Sequence, residues 1–345
     1  MADTLLLRVL KSKPNQLKLN NQKLQTIPKI IGKLERLTLL DIKNNKLKDL
    51  PDEVSHLYEL TSLNLGNNEF EEIPQCVISL TNLIKLHAFG NKISKINPVL
   101  FDSLENLTFL NLNGNRLTEI PPEICRLGNL KFLSIDNNKI DGFPLEFCAL
   151  TQLTELHAAG NNISSLPLEF GFLTNLERLH LQKNKIRELP ESIGKCYKLR
   201  VLDIAANELR IFPTEIGAIP LKELYCEENP LLQHIPVHSV QEEEVLALKE
   251  ITARFIMKEL KDRWSYLRKC IRHYPDIRDM LSQASKCAVC GESFLNTWLE
   301  CVRFISTKQN LKVSNMSGSV PVRALLCSYK CFNSAGHDYY GVAFP

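Results

Sequence analysis

The 345-residue chain carries 42 Lys+Arg against 39 Asp+Glu, and its net charge of +3 is too small to mark a nucleic-acid or polyanion binder by bulk electrostatics. At 44% hydrophobic and 23% charged, it has the composition of a folded globular protein, and no stretch reaches the ~18 uninterrupted apolar residues that a membrane helix needs. Its 11 cysteines are an odd number, with none before Cys76, which fits a reducing compartment better than a disulfide framework. The expected location is therefore the cytoplasm, with the nucleus left open, and the expected state a monomer.

In chain order, residues 1–16 come first, with TLLLRVLK (4–11) predicted to form a short amphipathic cap. Residues 17–236 then repeat the phrase L-x-L-x-x-N-x-L-x-x-L-P. Its asparagines are Asn45, Asn68, Asn91, Asn115, Asn138, Asn161, Asn184, Asn207 and Asn229, spaced by 22 to 24 residues, and Gln22 holds the slot of an atypical first unit. Proline keeps the same phase at Pro28, Pro51, Pro74, Pro121, Pro144, Pro167, Pro190 and Pro213. Such a period is the signature of a leucine-rich-repeat solenoid. The predicted fold is an α/β repeat solenoid, a horseshoe of about ten 23-residue repeats, each with a short strand such as Leu63-Asn64-Leu65. The asparagine amides are expected to bond the turn and the next repeat, and the stretch after each proline to return as a turn or short helix. The fourth repeat is one residue longer, with Pro98 displaced.

Strand residues that alternate with the inward leucines face the concave surface. There the middle repeats carry Phe89, Phe109 and Phe132 beside His87, His157 and His180, with Tyr225 further along. Aromatic side chains exposed on a rigid sheet are common anchors of protein-binding hot spots, so these residues are the candidate contacts for a protein client. The bland alternative is that the three phenylalanines pack only on one another.

The period stops near Pro236. Residues 237–285 read as a helical segment: Ser239 and Glu242 fit a capping box, and Val245, Leu248, Ile251, Phe255 and Ile256 recur at helical spacing, predicting a helix over 240–262. By this pattern alone, its apolar stripe would cap the open end of the solenoid. Residues 286–345 contain Cys287-Ala288-Val289-Cys290-Gly291 and Cys327-Ser328-Tyr329-Lys330-Cys331. C-x-x-C-G turns two thiolates toward one metal, and a second pair completes a structural zinc set, with Cys301 and His337 in reserve. Residues 298–304 alternate as a strand, and Val320 to Leu326 could pair with it, giving a small zinc-ribbon-like tail. Buried free thiols are the alternative. Four thiolates leave no position for a reacting water, and no phosphate loop, nucleophile elbow, HExxH or dinucleotide fingerprint occurs, so an enzyme using the tail cysteines is the least favoured reading.

The LPxxIxxLxxL units resemble the intracellular leucine-rich-repeat class that includes Ras-pathway scaffolds. EITARFIMKEL, HYPDIRDMLSQASKCAVCGESFLNTWLECVRF and LLCSYKCF, with MADTLLLRVLKSKPN at the start, carry a resemblance to one intracellular leucine-rich-repeat family over essentially the whole chain. Residues 247–256 are also similar to the elongin-binding half of a suppressor-of-cytokine-signalling box: Leu248 and Ile256 match, and Thr252 stands where that box has cysteine. Tyr274-Pro275 stands where such proteins carry a cullin-selecting Leu-Pro segment. The resemblance implies a non-enzymatic substrate-recognition subunit of a cullin-type ubiquitin ligase, with elongin B/C and a cullin as partners and Leu248, Thr252, Ile256 and Pro275 as contacts. A signalling scaffold of the small-GTPase type, whose tail only caps the solenoid, is the alternative.

Overall fold

The computed structural model describes residues 14–232, 246–295 and 299–341, which fall into two compact units. The first comprises the repeats through 210, residues 215–230, and 307–317; the second comprises 211–214, 231–306 and the chain from 318. The predicted cap at 4–11, the capping box at Ser239–Glu242 and Val245 lie outside the described residues.

Ten three-residue strands form one parallel sheet in sequence order. They are β1 (Gln16–Lys18), β2 (Leu39–Asp41), β3 (Ser62–Asn64), β4 (Lys85–His87), β5 (Phe109–Asn111), β6 (Phe132–Ser134), β7 (Glu155–His157), β8 (Arg178–His180), β9 (Val201–Asp203) and β10 (Glu223–Tyr225). Each strand centres on a buried leucine, from Leu17 to Leu224. The paired triplet of the third repeat is therefore Ser62–Asn64, one residue earlier than the leucine-to-leucine reading of the sequence. The two flanking residues of each triplet point outward, so the sheet shows a second face, set by those flanking side chains, to solvent.

The ladder asparagines are buried from Asn45 to Asn207, and each ties its own turn to the preceding repeat. Asn68, for example, donates to Leu65 O at 2.9 Å and to Ile42 O at 3.1 Å, and accepts from Leu47 N at 3.1 Å. The bonds thus run backward along the chain, not forward to the next repeat as the sequence reading has it. The residue before each ladder asparagine takes a left-handed conformation, as at Asn67 (φ 52°) and Gly90 (φ 65°), which explains why asparagine or glycine fills that slot in six of the nine repeats. After each proline the chain closes a five-residue 3-10 turn, such as Asp52–His56 after Pro51. In the longer fourth repeat, the extra residue and a helical Pro98 convert that turn into a short helix, α1 (Val99–Ser103).

The edge of β10 is covered within the first unit by residues 307–317. Asn315 accepts from Leu224 N (3.0 Å) and donates to Leu224 O (2.9 Å), while Ser314 N bonds Lys222 O (2.9 Å). This loop satisfies strand groups that would otherwise be exposed at a sheet edge. Of the apolar stripe expected after residue 240, Leu248, Ile251 and Phe255 are exposed and Ile256 is half-buried within the second unit.

In the second unit, α2 (Leu248–Glu259), α3 (Tyr266–Cys270) and α4 (Pro275–Ser282) precede the hairpin β11 (Ser285–Lys286) and β12 (Ser293–Phe294). β13 (Leu299–Ser306) pairs antiparallel with β14 (Ser319–Leu326) over eight residues, matching the strand pairing expected from the alternation, and β15 (Tyr340–Gly341) joins the other edge of β13. α5 (Tyr329–Phe332) follows β14. α2 starts at Leu248, with no side-chain cap, and is shorter than the predicted 240–262. Its buried face is Glu250, Ala253 and Met257, whereas Leu248, Ile251 and Phe255 are 78%, 50% and 59% exposed. The small Ala253 allows close approach to Leu281 and Leu295, and Glu250 has a polar reason to be inside. Its carboxylate accepts from Leu295 N at 3.1 Å and from Arg254 Nε at 2.5 Å.

Candidate functional site

Side chains on the outward face of the sheet form a row of stacked rings. The His87 and Phe109 centroids are 4.7 Å apart, Phe109 and Phe132 lie parallel at 4.3 Å, Phe132 and His157 are 5.3 Å apart, and His157 and His180 stack at 4.5 Å. Strand register explains the contacts: Phe109 pairs with Phe132, and His157 with His180, directly across parallel neighbours. The row runs through β4 to β8 and ends at Asp203, whose Oδ2 is 3.9 Å from His180 Nδ1. His157 Nε2 lies 2.6 Å from Glu155 Oε1. The rings are half-buried by one another, not fully exposed.

Phe89 stands apart from the other two phenylalanines. It meets His87 edge-on, at 6.5 Å, and its ring lies over Gly66, where a Cβ would come within 2.4 Å of Cζ. An open depression of about 320 Å³ adjoins it, lined by Gly90, Asn111, Asn113, Gly114 and Asn137. Tyr225 is also outside the row and donates its hydroxyl to Glu223 at 3.0 Å. Burial, and then the Lys85 charge, lower the pKa of His87, whereas burial raises that of Asp136 despite the Ala159 N–H it accepts. Two features escaped the sequence reading: the Glu155 partner of His157 and the Gly66 seat. A glycine where neighbouring repeats place a side chain was the available signal for the seat.

The second site lies in the tail. Cys287, Cys290, Cys327 and Cys331 place their sulfurs all within 4.8 Å of one another, the group of metal-ligand side chains drawn together among the described residues. Cys287 and Cys290 sit in the turn of the β11–β12 hairpin, closed by Gly291 N to Cys287 O (2.9 Å) with Gly291 at φ 72°. Cys327 follows β14, and Cys331 lies in α5, whose N-cap Ser328 accepts from Cys331 N. Nearest sulfur pairs are Cys290–Cys327 at 3.5 Å and Cys327–Cys331 at 3.6 Å. A tetrahedral ion with metal–sulfur bonds of ~2.3 Å requires sulfurs about 3.8 Å apart, so the four thiols match a metal centre of that geometry. Burial pushes the Cys287 thiol up, but hydrogen bonds from the backbone of Cys290, Cys327 and Val289 outweigh it and hold the group at about 7. A thiolate-stabilising turn is what a metal ligand needs.

The reserve ligands are engaged elsewhere. Cys301 is buried in the core with Phe294, Ala324 and Leu326, and burial pushes its thiol to about 12. His337 uses both ring nitrogens, one at 2.7 Å from Phe332 O and the other accepting from Tyr339 N. Of the remaining cysteines, Cys76, Cys148, Cys196 and Cys226 are buried, while Cys125 and Cys270 are only half-buried.

Along α2, Leu248 and Thr252 are one turn apart on the exposed side, the Thr252 hydroxyl donating to Leu248 O at 2.7 Å. Ile256 packs against the Ala253–Met257–Leu281–Leu295 core, so it does not share their exposure. Pro275 is exposed at the first turn of α4. Among the described residues, no helix is long and apolar enough to cross a membrane.

Ten repeats in phase, one parallel sheet and a buried asparagine ladder define a leucine-rich-repeat protein, and the chain belongs to that class. The families described as "Leucine rich repeat", "Leucine-rich repeat region" and "Leucine Rich repeats (2 copies)" match residues 15–70 and 59–117, 91–184, and 174–215. The chain is 50% identical over 125 residues to leucine-rich repeat-containing protein 69 of Xenopus laevis, 36% of each chain. It is 45% identical over 123 residues to the protein of that name from Homo sapiens, 36% of this chain and 35% of that one. The matched stretch is thus about a third of those relatives' own length. Among solved structures, a leucine-rich-repeat protein of Leptospira interrogans shares 31% identity at a TM-score of 0.55, covering 65% of this chain and 69% of that one. The ectodomain of the Arabidopsis thaliana receptor kinase GASSHO1/SCHENGEN3, solved with Casparian strip integrity factor 2, shares 30% at 0.57, covering 65% and 28%.

Proposed function

We propose that this chain is a non-enzymatic recognition protein that holds a protein client on the outward face of its sheet, in the cytoplasm or nucleus, as a monomer. The observation that carries this reading is the row from His87 to His180, five rings wide on a rigid parallel sheet. Leucine-rich-repeat proteins act as protein-interaction modules, and the plant receptor solved with a bound factor is one instance of the fold used so.

In its more specific form, the reading makes the chain a substrate-recognition subunit of a cullin-type ubiquitin ligase. The exposed Leu248, Ile251 and Phe255 offer an apolar helix face to an elongin groove, with Thr252 beside them and Pro275 toward the cullin. Zinc bound by Cys287, Cys290, Cys327 and Cys331 would be structural, joining the β11–β12 hairpin to the end of β14 in a segment too small to hold itself by its core. The inward packing of Ile256 favours a second reading, a signalling scaffold of the small-GTPase type whose tail only caps the solenoid. Affinity purification of wild type, Leu248→Arg and Phe132→Asp tests these. Elongin C and cullin are expected to be lost with Leu248→Arg, and the client with Phe132→Asp. Absence of elongin and cullin from the wild type refutes the ligase reading, and clients unaffected by Phe132→Asp refute the sheet-face reading.

A further inference from the structure

The outward face is electrically polarised along its length. At one end, Lys18, Lys43 and Lys85 stand on or just after β1, β2 and β4, with no ion-pair partner among the described residues. Asp41, the acid among them, is occupied by Asn20 Nδ2 at 2.8 Å and by Lys43 N. At the other end, Glu155, Asp203, Glu223 and Glu227 lie along β7, β9 and β10, with Arg178 the cation between them. The stacked rings fill the middle.

We propose that the client segment on this face is an extended peptide of matching polarity: acidic over β1–β4, aromatic over β5–β6, and basic over β8–β10. This rests on the sheet-face reading above and names the chemistry of its client. The aromatic centre follows from the stack. Rings on neighbouring strands face one another, Phe109 and Phe132 at an interplanar angle of 1°, so solvent meets their edges. Edges carry the positive end of the ring quadrupole and favour a partner ring laid flat in edge-to-face contact, while a cation needs a ring face that the stack has already used. Basic side chains of the peptide are therefore directed to the carboxylates, not to the rings. Length follows from spacing: eight strand steps separate Lys43 from Glu223, about 38 Å at ~4.8 Å per step, or about 12 extended residues at ~3.3 Å each.

The test uses the full chain and two fluorescent synthetic peptides of roughly 12 residues. Both contain a central Tyr-Ser-Tyr; one is blocked, acidic then basic, and the other has the same charges alternating. Anisotropy at low salt is expected to show the blocked peptide binding roughly tenfold more tightly. Glu223→Lys with Glu227→Lys should remove that preference, Phe132→Ala should weaken both peptides, and the melting temperature should stay unchanged in the charge variant. Equal binding of the two peptides, weakened by Phe132→Ala, overturns the polarity and leaves the face as a binding surface. Binding untouched by Phe132→Ala overturns both. No binding of either peptide overturns the polarised-peptide proposal alone, since the Phe132→Asp purification judges the face separately.

Discussion

Removing one ladder asparagine should destabilise the solenoid by an amount set by a single amide. Asn138 donates to Leu112 O (3.1 Å), Ile135 O (2.9 Å) and Asp136 O (3.2 Å), and accepts from Leu117 N at 3.1 Å. The carbonyls are shared. Leu112 O also receives Asn115 Nδ2, Ile135 O receives Asn161 Nδ2, and Asp136 O receives Gly114 N. Among the described residues Leu117 N has no second acceptor, so Asn138→Ala leaves one buried N–H unsatisfied. That costs about 1–3 kcal/mol, and the doubled carbonyls keep the loss from growing beyond it. Asn138→Asp keeps the acceptor but turns a second carboxylate oxygen toward three carbonyls in a buried slot, so it should be worse than alanine at neutral pH. Asn229, at the end of the ladder and half-exposed, should cost less, because water can reach Leu209 N. Urea unfolding followed by far-UV circular dichroism ranks the three variants. An Asn138→Ala midpoint equal to wild type, or an aspartate tolerated better than alanine, refutes the shared-carbonyl argument.

Three further outcomes are expected. Wild type should carry one zinc per chain by atomic absorption, and a Cys287→Ser/Cys290→Ser variant none; metal-free wild type with four titratable tail thiols would refute the centre. Glu250→Ala removes the buried acceptor that Leu295 N and Arg254 Nε share and should cost roughly 3 kcal/mol, read as faster hydrogen exchange at Leu295; unchanged exchange there contradicts a structural role for the carboxylate. Burial and Lys85 lower the folded-state pKa of His87, so from about pH 6.5 downward the unfolded chain binds a proton that the folded chain does not. Stability contributed at this site should therefore fall as pH drops through that window. His87→Gln should lose less urea resistance than wild type between pH 7.5 and 5.5, and parallel curves would falsify the assignment.

What was legible in the sequence was what each repeat decides for itself. A leucine at a strand centre, an asparagine after the turn and a proline before the 3-10 segment recur because every unit meets the same packing problem with the same neighbours. The four cysteines were legible for a related reason: ligand chemistry restricts residue type and spacing, and Gly291 marks the left-handed turn that closes the first pair. Features that depend on contacts distant in sequence were not legible. Phe89 leaves Phe109 and Phe132 because Gly66, a repeat earlier, opens a seat for its ring. The edge of β10 is finished by Asn315, some ninety residues on, and by nothing in the repeat pattern itself.

The sharpest divergence is α2. Hydrophobic periodicity turns Leu248, Ile251 and Phe255 inward, yet the helix buries Glu250, Ala253 and Met257. Inside, the Glu250 carboxylate is met by Leu295 N, forty-five residues away, and by Arg254. A helix oriented by propensity alone would have done the reverse, since burying an unmatched carboxylate costs several kcal/mol while burying leucine, isoleucine and phenylalanine gains about as much. The helix thus buries a hydrogen-bonded carboxylate and leaves three large apolar side chains exposed. Local pattern and tertiary structure tend to disagree at sites kept for something other than stability, so this helix face is where a partner of the tail should be sought.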